Sequence, residues 1–487
     1  MNRKILILLI LILSLGGFLR VFRIGKESIW FDEFATYEKV SAPTFNIMLE
    51  RMRKDETAPP LYFALLYAWG KLGRGLIWLR LFSALAGILA LYFFYLLARE
   101  ILDKHSSLFA TFLLAISPYH VWYSQEMRMY VLLAFFTIIS SLYCWKWFKS
   151  GKRLFAGLYI FFTLCGLYTH YHFLLILLAQ NLFIFFERKR IKSWMKMQLL
   201  VLLAFFPWVF FLWKDLFYPG NSWIPSLNVL TPFFIFSAYT LGIHPFVPVV
   251  LAWLTLLVAF VVLFKVGEEI ISKPRLVSLE GIRFISVLFA LPIVTALVIS
   301  LFKPIISEGK RYLIISLPFF YLILAYGVSR LRDTRQVIAV YLLFALTFTF
   351  SLSSYYRLPQ KRPWHKVADL LKQNYQRGKD GAVLEGVRYN ILEFYGFKDI
   401  QLLQPQGKRV KLDEVVSLGK RYSRIWFISI APGDTKLERV LFSNFHCVGF
   451  RVANTPAGII KIFLFDTTLP PLSRQNRRDT NSSLPES

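Results

Sequence analysis

The chain has 487 residues, of which 56% are hydrophobic, 17% aromatic and only 18% charged, with a formal net charge of +28. A composition this apolar excludes a water-soluble protein of this size, and repeated runs of about 20 apolar residues without period-two alternation exclude a transmembrane β-barrel. The Lys and Arg excess stands in short clusters between the apolar runs, where it sets topology and meets anionic membrane lipids, so the charge does not indicate a nucleic-acid partner.

Taken in chain order, Met1-Asn2-Arg3-Lys4 precede an apolar run from Ile5 to Leu15, and Phe18-Leu19-Arg20 is a poor cleavage site, so the first span is expected to stay uncleaved. Hydropathy predicts eleven spans, at 5–22, 78–99, 107–121, 129–147, 154–170, 172–187, 197–213, 246–265, 284–302, 312–329 and 336–354. Basic clusters fall at alternate connections: Arg3/Lys4, Arg99/Lys104, Lys146 to Arg153, Arg188 to Lys196, Lys265 to Arg283 and Arg330 to Arg335. By the positive-inside rule these face the cytoplasm. The expectation is a multi-pass cell-membrane protein with a cytoplasmic N-terminus and everything after Tyr355 outside the cytoplasm. The stretch 231–245, broken by Pro232 and Pro245, reads as an interfacial or re-entrant piece.

The first external loop, 23–77, carries two predicted interfacial helices. Pro43 to Glu56 places Phe45, Met48, Leu49 and Met52 on one face, and Pro59-Pro60-Leu61-Tyr62 starts a second helix, since proline suits a first turn. Residues 1–354 therefore read as a transmembrane domain. Composition changes abruptly at Tyr355, and 355–469 read as an α/β domain with a helix from Trp364 to Tyr375 and strands at Ala382 to Glu385, Ile425 to Ile430 and Ile459 to Phe465. The polar segment 470–487 reads as disordered. The fold class is thus a polytopic α-helical membrane protein of about 11 transmembrane helices with a C-terminal extracytoplasmic α/β domain. Cys144, Cys165 and Cys447 are odd in number, and two lie inside spans, so neither a disulfide framework nor a zinc site is indicated.

Several charges are left unexplained by topology. Trp30-Phe31-Asp32-Glu33 puts two adjacent carboxylates just past the first span, flanked by aromatic residues expected to anchor the turn at the membrane surface and exclude water from it. Glu126 is the one acid between Leu61 and Trp213 that the threading places outside, within a polar knot from Ser117 to Tyr130 that also holds Arg128. Ionisable groups at such depth face a cavity or a partner. Lys310-Arg311-Tyr312 sets two cations on the external side, against the topology bias, which calls for an anion such as phosphate or a lipid headgroup. His170 and His172 in Thr169-His170-Tyr171-His172 are two apart, so on a helix they point to different sides and read as part of an interfacial belt.

Together with Arg80-Leu81-Phe82-Ser83-Ala84-Leu85-Ala86-Gly87, these motifs resemble the membrane glycosyltransferases of the GT-C fold, in the family 39-like branch of protein O-mannosyltransferases and aminoarabinose transferases. The resemblance runs over about residues 5–375. It implies an extracytoplasmic, inverting transfer of a hexosyl or pentosyl group from a polyprenyl-phosphate-linked donor to a protein, lipid or glycan hydroxyl. Asp32 is then the general base, and Arg311 with Tyr312 contacts the donor phosphate. Lys310 joins that set by its position, and Arg128 by its charge, while Glu126, Tyr130, His170 and Tyr62 form the site wall. Glu33 is expected to orient the acceptor or, with Asp32, to hold a divalent cation such as Mg2+ or Mn2+. The chain departs from both branches before the paired prolines, where Ala58 stands in place of His or Lys. Two other readings stay open, a lipid or polysaccharide transporter or flippase and an inactive scaffold of the same ancestry. Charges gathered at one rim and the lack of an internal repeat favour the transferase.

Overall fold

The computed structural model describes residues 3–55, 58–217, 226–243, 246–273, 279–306, 308–387, 389–398, 400–403, 412–431, 433, 435–455 and 458–471. The expected disordered tail lies, from residue 472, outside the described residues. Internal contacts divide the chain into two units, residues 1–24 with 39–355 and residues 25–38 with 356–487.

The membrane unit is helical. Its elements begin with α1 (Arg3–Val21), followed by α2 (Phe31–Val40), whose residues up to Glu38 belong to the other unit. Next come α3 (Phe45–Asp55), α4 (Leu61–Gly70), α5 (Leu76–Ile101), α6 (Lys104–Ile116), α7 (Pro118–Ser124) and α8 (Tyr130–Ser150). After these follow α9 (Arg153–Leu167), α10 (Phe173–Glu187), α11 (Ile191–Phe217), α12 (Thr231–Leu241), α13 (Val249–Ser272) and α14 (Glu280–Phe302). A 3₁₀ helix (Glu308–Ile315) leads into α15 (Leu317–Ser329) and α16 (Thr334–Arg357). Among the described residues six of these, α1, α5, α8, α13, α14 and α16, are long and apolar enough to cross a membrane.

The expected spans at 107–121, 154–170, 172–187 and 312–329 are shorter helices than hydropathy suggested. Proline explains two of them. The residue before a proline is pushed out of the α region, so α6 stops at Ile116 and α7 restarts at Pro118, while Pro318 opens α15 after the 3₁₀ turn. The stretch 231–245, expected at the interface or re-entrant, contains the eleven-residue helix α12, with Ile235, Ala238, Tyr239 and Leu241 buried.

Burial separates the helices by role. In α8, 83% of the apolar window is inside the protein against 22% in α1, which makes α8 central and leaves α1 largely to lipid. α5 packs on α1, α6 and α8. Gly87 of α5 is required where α1 and α7 approach, because a Cβ there would stand 2.4 Å from Ser124 Oγ of α7 and 3.1 Å from Arg20 Nε of α1. Arg20, fully buried at the end of α1, donates to the carbonyls of Leu114 and Ala115 and so satisfies the C-terminal end of α6. A polar chain also links the apolar helices: Tyr159 of α9 donates to Gln180 of α10, whose amide donates to Ser140 and Ser141 of α8.

At the far end of α8 the basic connections converge on carboxylates. Lys149 (3.0 Å) and Lys189 both donate to Glu280, and Arg283 reaches Glu187 at 2.7 Å. Three connections that the positive-inside rule assigned to one side therefore meet at one end of the unit.

The C-terminal unit holds α17 (Trp364–Asn374), β1 (Asp380–Glu385), β2 (Gln401–Leu403), α18 (Leu412–Arg421), β3 (Arg424–Ser429), α19 (Lys436–Asn444), β4 (His446–Thr455) and β5 (Gly458–Asp466). The sheet order is β2-β1-β3-β5-β4, with β1 parallel to β2 and β3, and β5 antiparallel to β3 and β4. β1 and β3 are apolar runs buried on both faces, as central parallel strands are. One face packs Val383, Ile425, Phe427, Phe463 and Phe465 under Leu418 of α18 and Leu437 and Leu441 of α19. Sequence pattern missed β2, which is three residues long, and β4, an edge strand with a bulge between Cys447 and Gly449. The buried Asp380 accepts from Arg424 (2.7 and 2.8 Å) and from Trp426 Nε1 (2.9 Å), which pins β1 to β3.

Candidate active site

Three chain junctions of the membrane unit meet around one tyrosine. The first is the turn between α7 and α8. Gln125 fixes it by donating to the carbonyls of Leu19, Arg20 and Phe22 at the end of α1, and by accepting from Tyr355 of α16 at 2.8 Å. On that base stand Glu126, whose carboxylate accepts from Trp122 Nε1 at 2.9 Å, then Arg128 and Tyr130. The second is the turn between α9 and α10. There the His172 N–H donates to His170 Nδ1 at 3.1 Å, which puts the proton of a neutral His170 ring on Nε2. The third is the 3₁₀ helix, which presents Arg311 and Tyr312.

The geometry is compact. Arg128 Cζ lies 5.7 Å and Arg311 Cζ 5.6 Å from the centroid of the Tyr130 ring, and both arginines are only 8% exposed. Tyr312 meets Tyr130 edge to face at 5.7 Å and lies 4.9 Å from His170 and 4.6 Å from His172. Tyr123 adds a further edge at 5.4 Å from Tyr130 and feels the charges of both Glu126 and Arg311. Two like charges drawn to one ring repel each other, an effect that cation–π attraction of roughly 0.5–2 kcal/mol each offsets in part. Such a surface, with guanidinium forks and an imidazole N–H, suits an anion with several oxygens.

Because Tyr130 opens α8 while Lys149 stands in its last turn, this cluster and the Glu280 ion pairs mark opposite ends of one helix, about 30 Å apart. Placing the cluster at one end and the basic connections at the other agrees with the charge pattern of the sequence.

Of the residues the sequence singled out, Arg128, Tyr130, His170, Arg311 and Tyr312 come together here, and Glu126 shares the Arg128 turn. Lys310 is in the same 3₁₀ helix, with its side chain outside the described residues. Tyr62 is linked to the group through backbone: its ring meets Phe63 and Phe82, while the Leu61 N–H donates to the Tyr168 carbonyl at 2.9 Å. One expectation is corrected. His170 and His172 both face Tyr312, because residues 168–172 form a turn and helical spacing does not apply.

Asp32 and Glu33 belong to the C-terminal unit, in the first turn of α2. The flanking aromatics pack on protein there: Phe31 meets Trp364 edge to face at 6.2 Å and Phe34 lies 6.1 Å from Tyr389, where a membrane-surface anchor was expected. Asp32 is half-buried, whereas Glu33 is fully buried and accepts from Lys361 Nζ at 3.1 Å. Neighbours on a helix point to different sides. Among the described residues no third His, Cys, Asp or Glu joins the two carboxylates, and an ammonium already faces Glu33. This donor set does not fit the divalent cation expected from the sequence.

Sequence reading overlooked Tyr123, Gln125 and Lys361. The first two lay inside the Ser117 to Tyr130 knot already flagged, but nothing local connects Lys361 to Glu33.

Residues 57–213 match the family model described as dolichyl-phosphate-mannose-protein mannosyltransferase. No curated protein matches the chain in sequence. Among solved structures, the chain is similar to ArnT from Cupriavidus metallidurans in the apo state, with TM-score 0.62 and 12% identity over 96% of this chain and 99% of that one. ArnT bound to undecaprenyl phosphate gives 0.61 and 11%, over 95% and 98%. The apo oligosaccharyltransferase of Archaeoglobus fulgidus gives 0.53 and 12%, over 97% of this chain and 76% of that one. The chain thus has the GT-C fold of these structures, is a polytopic membrane protein with a C-terminal domain, and matches the mannosyltransferase family model over residues 57–213.

Proposed function

We propose that the chain is a polyprenyl-phosphate-sugar-dependent glycosyltransferase, moving a hexosyl or pentosyl group to an acceptor hydroxyl on the extracytoplasmic face, with its N-terminus in the cytoplasm. The observation that carries this reading is the convergence of Arg128 and Arg311 on Tyr130, a buried cationic surface of the kind a lipid phosphate requires. That a structure of the same fold was obtained with undecaprenyl phosphate supports the donor class.

In this mechanism the donor phosphate lies against Arg128, Arg311 and Tyr312, with Lys310 contributing its charge. Asp32, assigned through its motif, takes the acceptor proton as the acceptor oxygen bonds to the anomeric carbon. The bond from that carbon to the phosphate oxygen breaks from the opposite face, so configuration inverts and the electron pair stays on the lipid phosphate. Fixed cations at a developing charge stabilise the transition state more than the ground state. Glu126, Tyr130, His170 and Tyr62 enclose the sugar.

The test uses the full chain in lipid nanodiscs, with undecaprenyl phosphate as the binding probe and labelled polyprenyl-phosphate sugars for transfer. Asp32→Asn keeps probe binding and loses transfer by roughly 10²–10⁴-fold, the range of a general base. Arg311→Met loses the binding itself. Near-normal transfer by Asp32→Asn removes the base assignment, and probe binding that ignores Arg311 removes the phosphate site.

A further inference from the structure

The segment that carries Asp32 is fastened residue by residue to the chain just after α16. Lys26 Nζ donates to the carbonyls of Tyr356 (2.7 Å) and Arg357 (3.1 Å). The Glu27 carboxylate accepts from the backbone N–H groups of Gln360 (3.1 Å) and Lys361 (3.0 Å). Ser28 Oγ accepts from the His365 N–H at 3.1 Å and lies 2.5 Å from His365 Nδ1. Lys361 Nζ then passes over the Trp30 ring at 5.6 Å and ends on Glu33 Oε2 at 3.1 Å, with the two side chains 7% and 0% exposed.

α2 has ten residues, too few for a helix to hold its shape alone in water, so its direction is set by what anchors its first turn. Glu33 is the chain neighbour of Asp32 and is buried as a carboxylate, a state that requires a partner. A lysine on a carboxylate fixes one end of that turn in rotation as well as in place, and the carboxyl of Asp32 rotates with it.

We infer that Lys361 is the positioning residue for Asp32: by holding Glu33 it sets the first turn of α2, so that the C-terminal unit carries the acid that removes the acceptor proton. The assignment of Asp32 as base rests on the reading above; the fastening of α2 by Lys361 does not. Misplacement of a reacting group by about 1 Å costs on the order of 10²-fold in rate, so Lys361→Met lowers kcat by about that factor and leaves KM for the donor and undecaprenyl phosphate binding unchanged.

The test combines transfer kinetics with amide hydrogen exchange of the full chain in nanodiscs. In Lys361→Met, amides 31–38 exchange faster while those of β3 and β5 keep their protection, and Lys361→Arg restores both kcat and protection. Wild-type kcat and protection in Lys361→Met overturn the inference. If β3 and β5 also lose protection, the deciding variant is Lys361→Met with Glu33→Gln, which removes both charges of this ion pair together: fast exchange in α2 supports the inference and wild-type exchange overturns it. Normal turnover in Asp32→Asn removes the base assignment separately, and the exchange result still decides whether Lys361 fixes α2.

Discussion

Around Tyr130 in the membrane unit two guanidinium groups approach one aromatic ring, whereas in the first turn of α2 in the C-terminal unit a buried carboxylate meets an ammonium at 3.1 Å. Asp380 repeats the second pattern inside the sheet, with Arg424 at 2.7 and 2.8 Å. Opposite charges that close on each other fix geometry, because removing either leaves an uncompensated buried charge. Two cations beside one ring, with Glu126 in the same turn, give a surface whose field favours an anion. On the function proposed above, the two regions divide the work, one holding parts in place and the other receiving the donor phosphate.

The largest expected effect that sharpens this contrast is on ligand affinity. Each charge-assisted hydrogen bond contributes roughly 1.5–3 kcal/mol, so Arg128→Met with Arg311→Met weakens undecaprenyl phosphate binding by roughly 10²–10⁴-fold, read by titration in nanodiscs. Wild-type affinity in that double variant breaks the comparison. Next, Asp380→Ala strands Arg424 and Trp426 and destabilises the C-terminal unit by about 3–5 kcal/mol, read as lost exchange protection in β1 and β3. Its undecaprenyl phosphate affinity stays at the wild-type level, since the Tyr130 cluster is built within the other unit.

A smaller effect is expected at the shared ring. Tyr130→Leu removes the ring that both guanidiniums approach, about 0.5–2 kcal/mol for each, and weakens the same binding by about tenfold, while Tyr130→Phe retains the ring and most of the affinity. The smallest concerns pH. Burial holds His365 below the ordinary imidazole range, with Asp369 and Glu27 acting to raise it and Lys366 to lower it. A group whose folded pKa is depressed contributes stability that is present above its unfolded value of about 6.5 and lost as pH falls through the folded one. Exchange protection of residues 25–38 is therefore full at pH 7.5 and falls on acidification to pH 5, and His365→Gln flattens that dependence.

Much of the membrane unit was legible in the chain itself. Hydropathy located the helices because a span must be long and apolar to satisfy its backbone in lipid, and α1, α5, α8, α13, α14 and α16 follow from that alone. Lys310 and Arg311 stood out as cations against the topology bias, and Arg128 as a charge within the polar knot from Ser117 to Tyr130. The break at Ser117-Pro118 was also present, as a proline that hydropathy averages over. β4 was hidden, because an edge strand mixes polar and apolar residues and lacks a clean period.

Local pattern carries no record of contacts between distant residues. Arg128, His170 and Arg311 come from three junctions, and only the packing of α8 with its neighbours and with the 3₁₀ helix sets them on one ring. Glu33 and Lys361 are 328 positions apart, so a reader of residues sees an acid and a base but not a pair. By itself the sequence determined where helices form, which end of each carries basic charge, and which side chains are chemically suited to phosphate. Tertiary structure alone decided which of them meet and which acid is held by a lysine, since those outcomes depend on burial and distance, quantities that spacing along a chain does not encode.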